Sequence, residues 1–200
     1  MKMWQRPDFV KKVIRDAWQN FGEVSAMSLR ETLFKSLKEC TQFKPSLVVA
    51  VIRLFQARRM LDFSAGWGDR LAGAIAANVD RYIAFDPNTS LRAGHDAIIE
   101  RFVPPERRRD FTITYTGFED AELADGCVDL VFTSPPFFTL EIYTDLPGQS
   151  SASYPAFNDW LVRFLFRCLH KAWRALVIGQ DQERRGRRRR RRREEKVERK

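Results

Sequence analysis

Two hundred residues, 44% apolar and 12% aromatic, suffice for one domain with a sizeable core. No run of about 18 apolar residues occurs, and the first eight residues lack the apolar stretch of a secretory signal, so the reading is an intracellular protein of cytoplasm or nucleus with no membrane span. The net charge of +9 is confined to one end: residues 184–200 hold 12 basic and 3 acidic side chains, and residues 1–183 hold 23 of each sign. Three scattered cysteines (Cys40, Cys127, Cys168) and two histidines (His95, His170) offer neither a metal-ligand spacing nor a Ser/His/Asp triad, so no metal is expected.

In chain order, Pro7–Phe21 has helical spacing, with Phe9, Val10, Val13, Ala17, Trp18 and Phe21 on one face. Pro7 suits its first turn and Gly22 its end. Ser28 with Glu31 predicts a capping box for a second helix carrying Leu29, Leu33, Phe34 and Leu37. Phe43-Lys44-Pro45 opens a third helical run over 46–56. Residues 1–57 thus read as an N-terminal helical region packing on a domain at 58–180, with 181–200 a disordered arginine-rich tail. Within 58–180, short apolar runs at 60–63, 82–86, 112–116, 128–132 and 175–178 alternate with helical patterns at 70–78, 90–101 and 158–173. Such alternation predicts an α/β fold: five parallel strands in the spatial order third, second, first, fourth, fifth, with helices on both faces. Arg107 to Arg109 read as solvated surface. His95, with no evident partner, reads as structural or exposed.

The stretch from Leu61 to Leu71 organises the rest. A strand ends at Asp62, Gly66 and Gly68 follow, and a helix begins. Glycines there permit backbone angles closed to other residues and let a ligand approach without meeting a Cβ. Free N–H groups at the helix start suit a polar ligand. Asp86, 18 residues after Gly68 at the end of the next apolar run, is placed to accept both hydroxyls of a ribose. The third glycine of the dinucleotide fingerprint is replaced by Leu71. Asp62-x-x-x-Gly66-x-Gly68 resembles instead the nucleoside-binding motif of the class I S-adenosylmethionine-dependent methyltransferases. The resemblance implies a Rossmann-like methyltransferase sheet. It also implies S-adenosylmethionine as cofactor, held at Asp62, Ser64, Ala65, Gly66 and Gly68, with its ribose at Asp86. Phe43 and Pro45 resemble a segment that touches the cofactor's methionine end. Phe118 would pack on the adenine ring and Glu119 or Asp120 accept from its amine.

The fourth strand runs into Thr133-Ser134-Pro135-Pro136-Phe137-Phe138. This resembles the (Asp/Asn/Ser)-Pro-Pro-(Tyr/Phe/Trp) motif of enzymes that methylate planar amines: adenine and cytosine amino groups, and a glutamine amide in some proteins. An exocyclic amine is a poor nucleophile because its lone pair is delocalised into the ring. Acceptors on its hydrogens, here Ser134 Oγ and the Pro135 carbonyl, would draw the nitrogen toward a tetrahedral geometry. Two consecutive prolines hold that carbonyl in place, and Phe137 offers a stacking face. Phe138, Glu141 and Tyr143 are candidate substrate contacts. Ser134 resembles the cytosine-modifying branch, while the order of the two motifs resembles adenine-modifying branches, so the base stays open.

After the fifth strand the family continues with a helix and an antiparallel strand pair. Here Gly179 leads to seven consecutive arginines, 187–193, which repel one another and build no core. The resemblance therefore covers about residues 41–179 and implies a C-terminally truncated catalytic domain acting on DNA or RNA. The alternatives are an enzyme acting on another planar amine, such as a protein glutamine, and an inactive domain whose basic tail binds nucleic acid.

Overall fold

A computed structural model describes residues 6–37, 42–139 and 148–177. Glu141, Tyr143, Cys40 and the arginine-rich tail lie outside the described residues. The chain divides into two compact units between Gln42 and Phe43.

The first unit contains α1 (Pro7–Phe21) and α2 (Ala26–Leu37). Pro7 opens α1, and Gly22, left-handed at φ 69°, closes it with its N–H on the Trp18 carbonyl. The buried face is narrower than the spacing predicted: Val13 and Ala17 are enclosed, whereas Trp18 and Phe21 are exposed. The expected capping box is displaced. Ser28 lies inside α2, and the reciprocal pair is Ser25 with Ser28: Ser28 N–H donates to Ser25 Oγ at 3.2 Å, and Ser25 N–H to Ser28 Oγ at 2.8 Å. A serine does here what the reading gave to Glu31.

The second unit begins with α3 (Pro45–Leu54) and continues with β1 (Arg59–Asp62), α4 (Asp69–Ala76), β2 (Arg81–Phe85), α5 (Arg92–Phe102), β3 (Phe111–Thr114) and β4 (Leu130–Val131). It ends in α6 (Ser150–Ser153) and a helical run of α7 (Phe157–Asp159), a π-helical stretch (Trp160–Phe166) and α8 (Arg167–Ala175). The four strands form one sheet in the order β3-β2-β1-β4, every pairing parallel. That is the predicted order. Beyond β4, the expected fifth strand is represented by a single parallel bridge, Val128 with Leu176. Helix α8 extends to Ala175, a residue the reading gave to that strand, and Ile178 is outside the described residues.

Alternation along each strand divides the core between the two faces. Met60, Tyr82, Ala84 and Phe111 meet Val48 and Ile52 of α3, Leu71 and Ala74 of α4, and Val103. Leu61, Phe63, Ile83, Phe85 and Val128 meet Trp160, Phe164, Cys168, Ala172 and Ala175 of the last helical run. Parallel strands covered on both faces read as continuous apolar runs, which is why the sequence marks them well.

Helices α3 and α4 approach closely at Gly73. A Cβ there would overlap Val48 Cβ and lie 2.9 Å from the Pro45 carbonyl oxygen. Gly94 in α5 has open space around it. Two glycine-to-alanine changes in helices therefore have opposite signs. Gly94→Ala should stabilise by about 1 kcal/mol through helix propensity. Gly73→Ala gains the same propensity but overpacks a backbone-level contact, at a cost of about 1–3 kcal/mol or more, so α3 must shift and the net is a loss. Thermal unfolding of the two variants checks this; a Gly73→Ala variant as stable as Gly94→Ala would refute the close approach.

Candidate active site

The turn after β1 is held by polar ties from three sides. Gly66 and Gly68 take left-handed angles, φ 57° and 93°. Gly66 N–H donates to Asp86 Oδ2 at 2.8 Å, and Asn88 N–H to Asp86 Oδ1 at 2.9 Å. From the other side His95 Nε2 meets the Gly66 carbonyl at 2.8 Å and His95 Nδ1 meets the Tyr115 hydroxyl at 2.9 Å. A carbonyl only accepts, so Nε2 carries the proton; in the neutral ring Nδ1 accepts from Tyr115. The two glycines have different work. Gly68 is required by its backbone angle, which side chains rarely adopt, and a Cβ there would also press on the tip of Ile98 at 2.9 Å and on His95 Cδ2 at 3.3 Å, both from α5. A Cβ on Gly66 would meet nothing nearer than 3.9 Å, so that side of the turn is open.

Beneath the turn, Asp62 is fully enclosed, at 0% exposure. Its Oδ2 accepts from Arg70 Nε at 2.8 Å and from the Tyr82 hydroxyl at 2.9 Å, and its Oδ1 from Ser64 N–H at 3.3 Å. Arg70 also donates through Nη2 to the Ser64 carbonyl, and its guanidinium lies 5.7 Å from the centre of the Phe43 ring. Burial, then the nearby Asp62 charge, holds the Tyr82 phenol well above its usual range. Asp62, Ser64 and Phe43 thus meet around Arg70, which the sequence reading did not single out. Nothing in the local pattern marks Arg70, whose partner precedes it by eight residues across a turn.

Burial raises the Asp86 carboxyl above the usual range, against the two N–H donors that favour its charge. Those donors leave about half of its acceptor sites free. Glu119, after β3, is 7% exposed, and its Oε2 is buried without a hydrogen-bond partner among the described residues. Burial lifts its carboxyl too, with the Asp120 charge acting in the same direction and its own N–H and the Arg167 and Lys171 charges acting against it. Phe118 is turned into the core, stacked on Phe63 at 5.2 Å and tilted against Phe85 at 4.9 Å. Lys171 Nζ covers its ring at 5.3 Å.

Because β4 lies parallel to and beside β1, the residues after Val131 arrive at the same edge as the glycine turn. Ser134 is exposed, Pro135 and Pro136 are half-buried, and Phe137 is 55% exposed. Phe138, at φ 51°, packs against Phe157 at 5.4 Å and Trp160 at 5.5 Å, an aromatic cluster seated on the π-helical stretch. Ahead of them Thr133 Oγ1 is buried and without a hydrogen-bond partner among the described residues. The edge therefore offers an open glycine face, two buried carboxylates with free acceptor sites, and an exposed hydroxyl beside an exposed ring. This donor and acceptor set fits an adenosyl cofactor at Gly66, Asp86 and Glu119. Among the described residues no cluster could hold a metal ion, and no helix is long and apolar enough to cross a membrane.

No family model and no curated protein matches the chain. Solved structures that resemble it include a proposed RNA methyltransferase of Pyrococcus horikoshii, at 16% identity over 58% of this chain and 64% of that one, TM-score 0.40. A SAM-dependent O-methyltransferase of Thermotoga maritima matches at 14% identity over 74% of this chain and 46% of that one, TM-score 0.44. A Podospora anserina methyltransferase solved with SAH bound matches at 10% identity over 84% and 66%, TM-score 0.43. The chain thus spans less than two thirds of the length of each of these proteins. Likenesses this distant carry no weight in assigning chemistry, which rests on the site itself.

Glu119 yields a pH test. Its folded-state carboxyl is raised, so its favourable contribution is complete at low pH and is lost as pH rises through the folded value. At neutral pH the buried charge costs stability that a neutral amide avoids. Glu119→Gln should melt higher than the wild type at pH 7, with the gap closing as pH falls into the ordinary carboxylate range. Parallel melting curves across pH check this, and a gap independent of pH would refute it.

Proposed function

We propose that this chain is an S-adenosylmethionine-dependent methyltransferase whose acceptor is an exocyclic amine of adenine or cytosine in DNA or RNA. The observation that carries the reading is the arrival of the glycine turn and of Ser134-Pro135-Pro136-Phe137 at one edge of adjacent parallel strands. When bound, the cofactor supplies a methyl group on a positively charged sulfur. Asp86 accepts from the ribose hydroxyls, and Glu119 Oε2, which has no hydrogen-bond partner among the described residues, accepts from the adenine amine. The open face of Gly66 lets the ligand lie against backbone. Ser134 Oγ and the Pro135 carbonyl take hydrogen bonds from the acceptor amine and concentrate its lone pair on nitrogen. Phe137 stacks on the base. Positioning of this kind supplies most of the acceleration, and no strong general base is required. A base inside a duplex would have to be extruded first. Phe118 and Phe138 shape the site from within the core, and Asp62 acts from beneath through Arg70. The arginine-rich tail adds a nonspecific attraction for phosphates.

The test is mass spectrometry of nucleosides after incubating the chain with cofactor and DNA or RNA. Methylated adenine or cytosine is expected. Methyl transfer to a protein glutamine alone would favour the other planar amine, and cofactor binding without transfer would favour an inactive domain. Two variants separate the roles within the site. Phe137→Ala removes a stacking surface worth about 1–3 kcal/mol, which acts on the bound base throughout, so it should mainly raise the Michaelis constant. Ser134→Ala removes a hydrogen bond that strengthens as the nitrogen reshapes, so it should mainly lower turnover. Full methyl transfer in both variants would make the segment a mere strand terminator.

A further inference from the structure

Asp62 stands where the resemblance places a cofactor ligand, yet it is sealed beneath the turn with both oxygens engaged by Arg70, Tyr82 and Ser64. What remains free in this corner is one edge of Arg70. Its Nε serves Asp62 and its Nη2 serves the Ser64 carbonyl. Its Nη1 makes no hydrogen bond among the described residues, although the side chain as a whole is buried, at 7% exposure. The guanidinium also borders the space that Gly66 leaves open: a Cβ on Gly66 would lie 3.9 Å from both Arg70 Nη2 and the Ser64 carbonyl oxygen. The Phe43 ring lies against it at 5.7 Å, excluding water from one side.

We propose that Arg70 reads the carboxylate at the amino-acid end of the cofactor, and that Asp62 is a positioning residue holding the guanidinium in place. The inference rests on the methyltransferase reading above and names the group that recognises that end of the ligand. A guanidinium has donors and no acceptor, so it suits a carboxylate and repels an ammonium. The Asp62 charge cancels that of Arg70, so the pair exerts little pull at a distance. Recognition is instead directional, through N–H groups fixed in a rigid fork and partly shielded from water. Tyr82 and Ser64 complete the shell around Asp62, which prevents the aspartate from turning toward the ligand.

Calorimetry with two probes tests this: S-adenosylmethionine, and its decarboxylated form, which keeps the adenosyl sulfonium but lacks the carboxylate. The wild-type chain should favour the intact cofactor by about tenfold or more, the usual value of a hydrogen bond to a charged group. Arg70→Lys should reduce that preference, and Arg70→Met should bring it near unity by weakening only the intact cofactor. Because Arg70→Met leaves Asp62 buried without its cation, Asp62→Asn with Arg70→Met in one chain is the companion variant, expected to show the same loss of preference. Equal binding of both probes by the wild type, undiminished preference in Arg70→Lys, or equal weakening of both probes in the other variants would each overturn the proposal and make Arg70 a shaping residue only. Failure of both probes to bind the wild type would instead overturn the methyltransferase reading, and this inference with it.

Discussion

The buried charge of Asp62 is the constraint on which the rest of the second unit depends. An enclosed carboxylate without partners costs several kcal/mol, and removing one partner of such a pair typically costs about 3–5 kcal/mol. The three groups that satisfy it come from three places: Arg70 from the first turn of α4, Tyr82 from β2, and Ser64 from the turn itself. Satisfying one side chain therefore fixes a helix, a neighbouring strand and the turn that leads from β1 into that helix. Asp86 and His95 repeat the device from the opposite side, one on the Gly66 N–H and one on its carbonyl. A glycine-containing segment is entropically costly to order. With its polar groups tied in this way the cost is met on folding and the turn is shaped in advance.

The connection from β3 to β4 shows a related solution. It crosses from one edge of the sheet to the other with no helix among its residues, so its carbonyls need partners from elsewhere. Lys171 of α8 supplies them, donating to the carbonyls of Phe118, Glu119 and Ala121. Arg174 and Asp125 pair at 2.8 Å, and the Gly126 N–H reaches the Arg174 carbonyl at 2.9 Å. Burial lowers the Lys171 ammonium somewhat below its usual range, which is the electrostatic consequence of seating a cation under this crossing. The last helix thus secures the segment that carries Glu119.

The sheet was legible in the sequence because parallel strands buried on both faces appear as apolar runs, and the glycine turn and the proline pair mark where two of them end. What could not be read are contacts between residues far apart in the chain. His95 looks unpartnered until α5 packs across the turn and brings it to Gly66, 29 residues earlier. Arg70 has the look of an ordinary residue at the start of a helix. Phe118 and Phe138 follow strands at positions where a ligand-facing ring and a core ring share one signature. Gly73 resembles a weak point in α4 until Val48 is found against it. The Ser25 and Ser28 exchange was hidden by a better-matching Glu31. Except for that local exchange, local pattern marked the element and tertiary contact decided which face a side chain took.

The buried polar groups sort by whether they are satisfied. Asp62, Asp86, His95 and Tyr82 all have partners, and their removal would disturb architecture first. Three buried atoms among the described residues have none: Arg59 Nη2, Glu119 Oε2 and Thr133 Oγ1. Arg59 opens β1, at the edge away from the glycine turn, and its Nε is already paired with Asp129 at 2.8 Å. The other two follow β3 and β4, at the edge where the glycine turn and Ser134 gather. An unpaired buried acceptor or hydroxyl costs about 1–3 kcal/mol in the free protein. A protein carrying two such costs at one edge, while meeting the needs of Asp62 in full, has polar capacity left over at that edge. Glu119 and Thr133 thus stand at the two ends of that edge, one after β3 and one after β4.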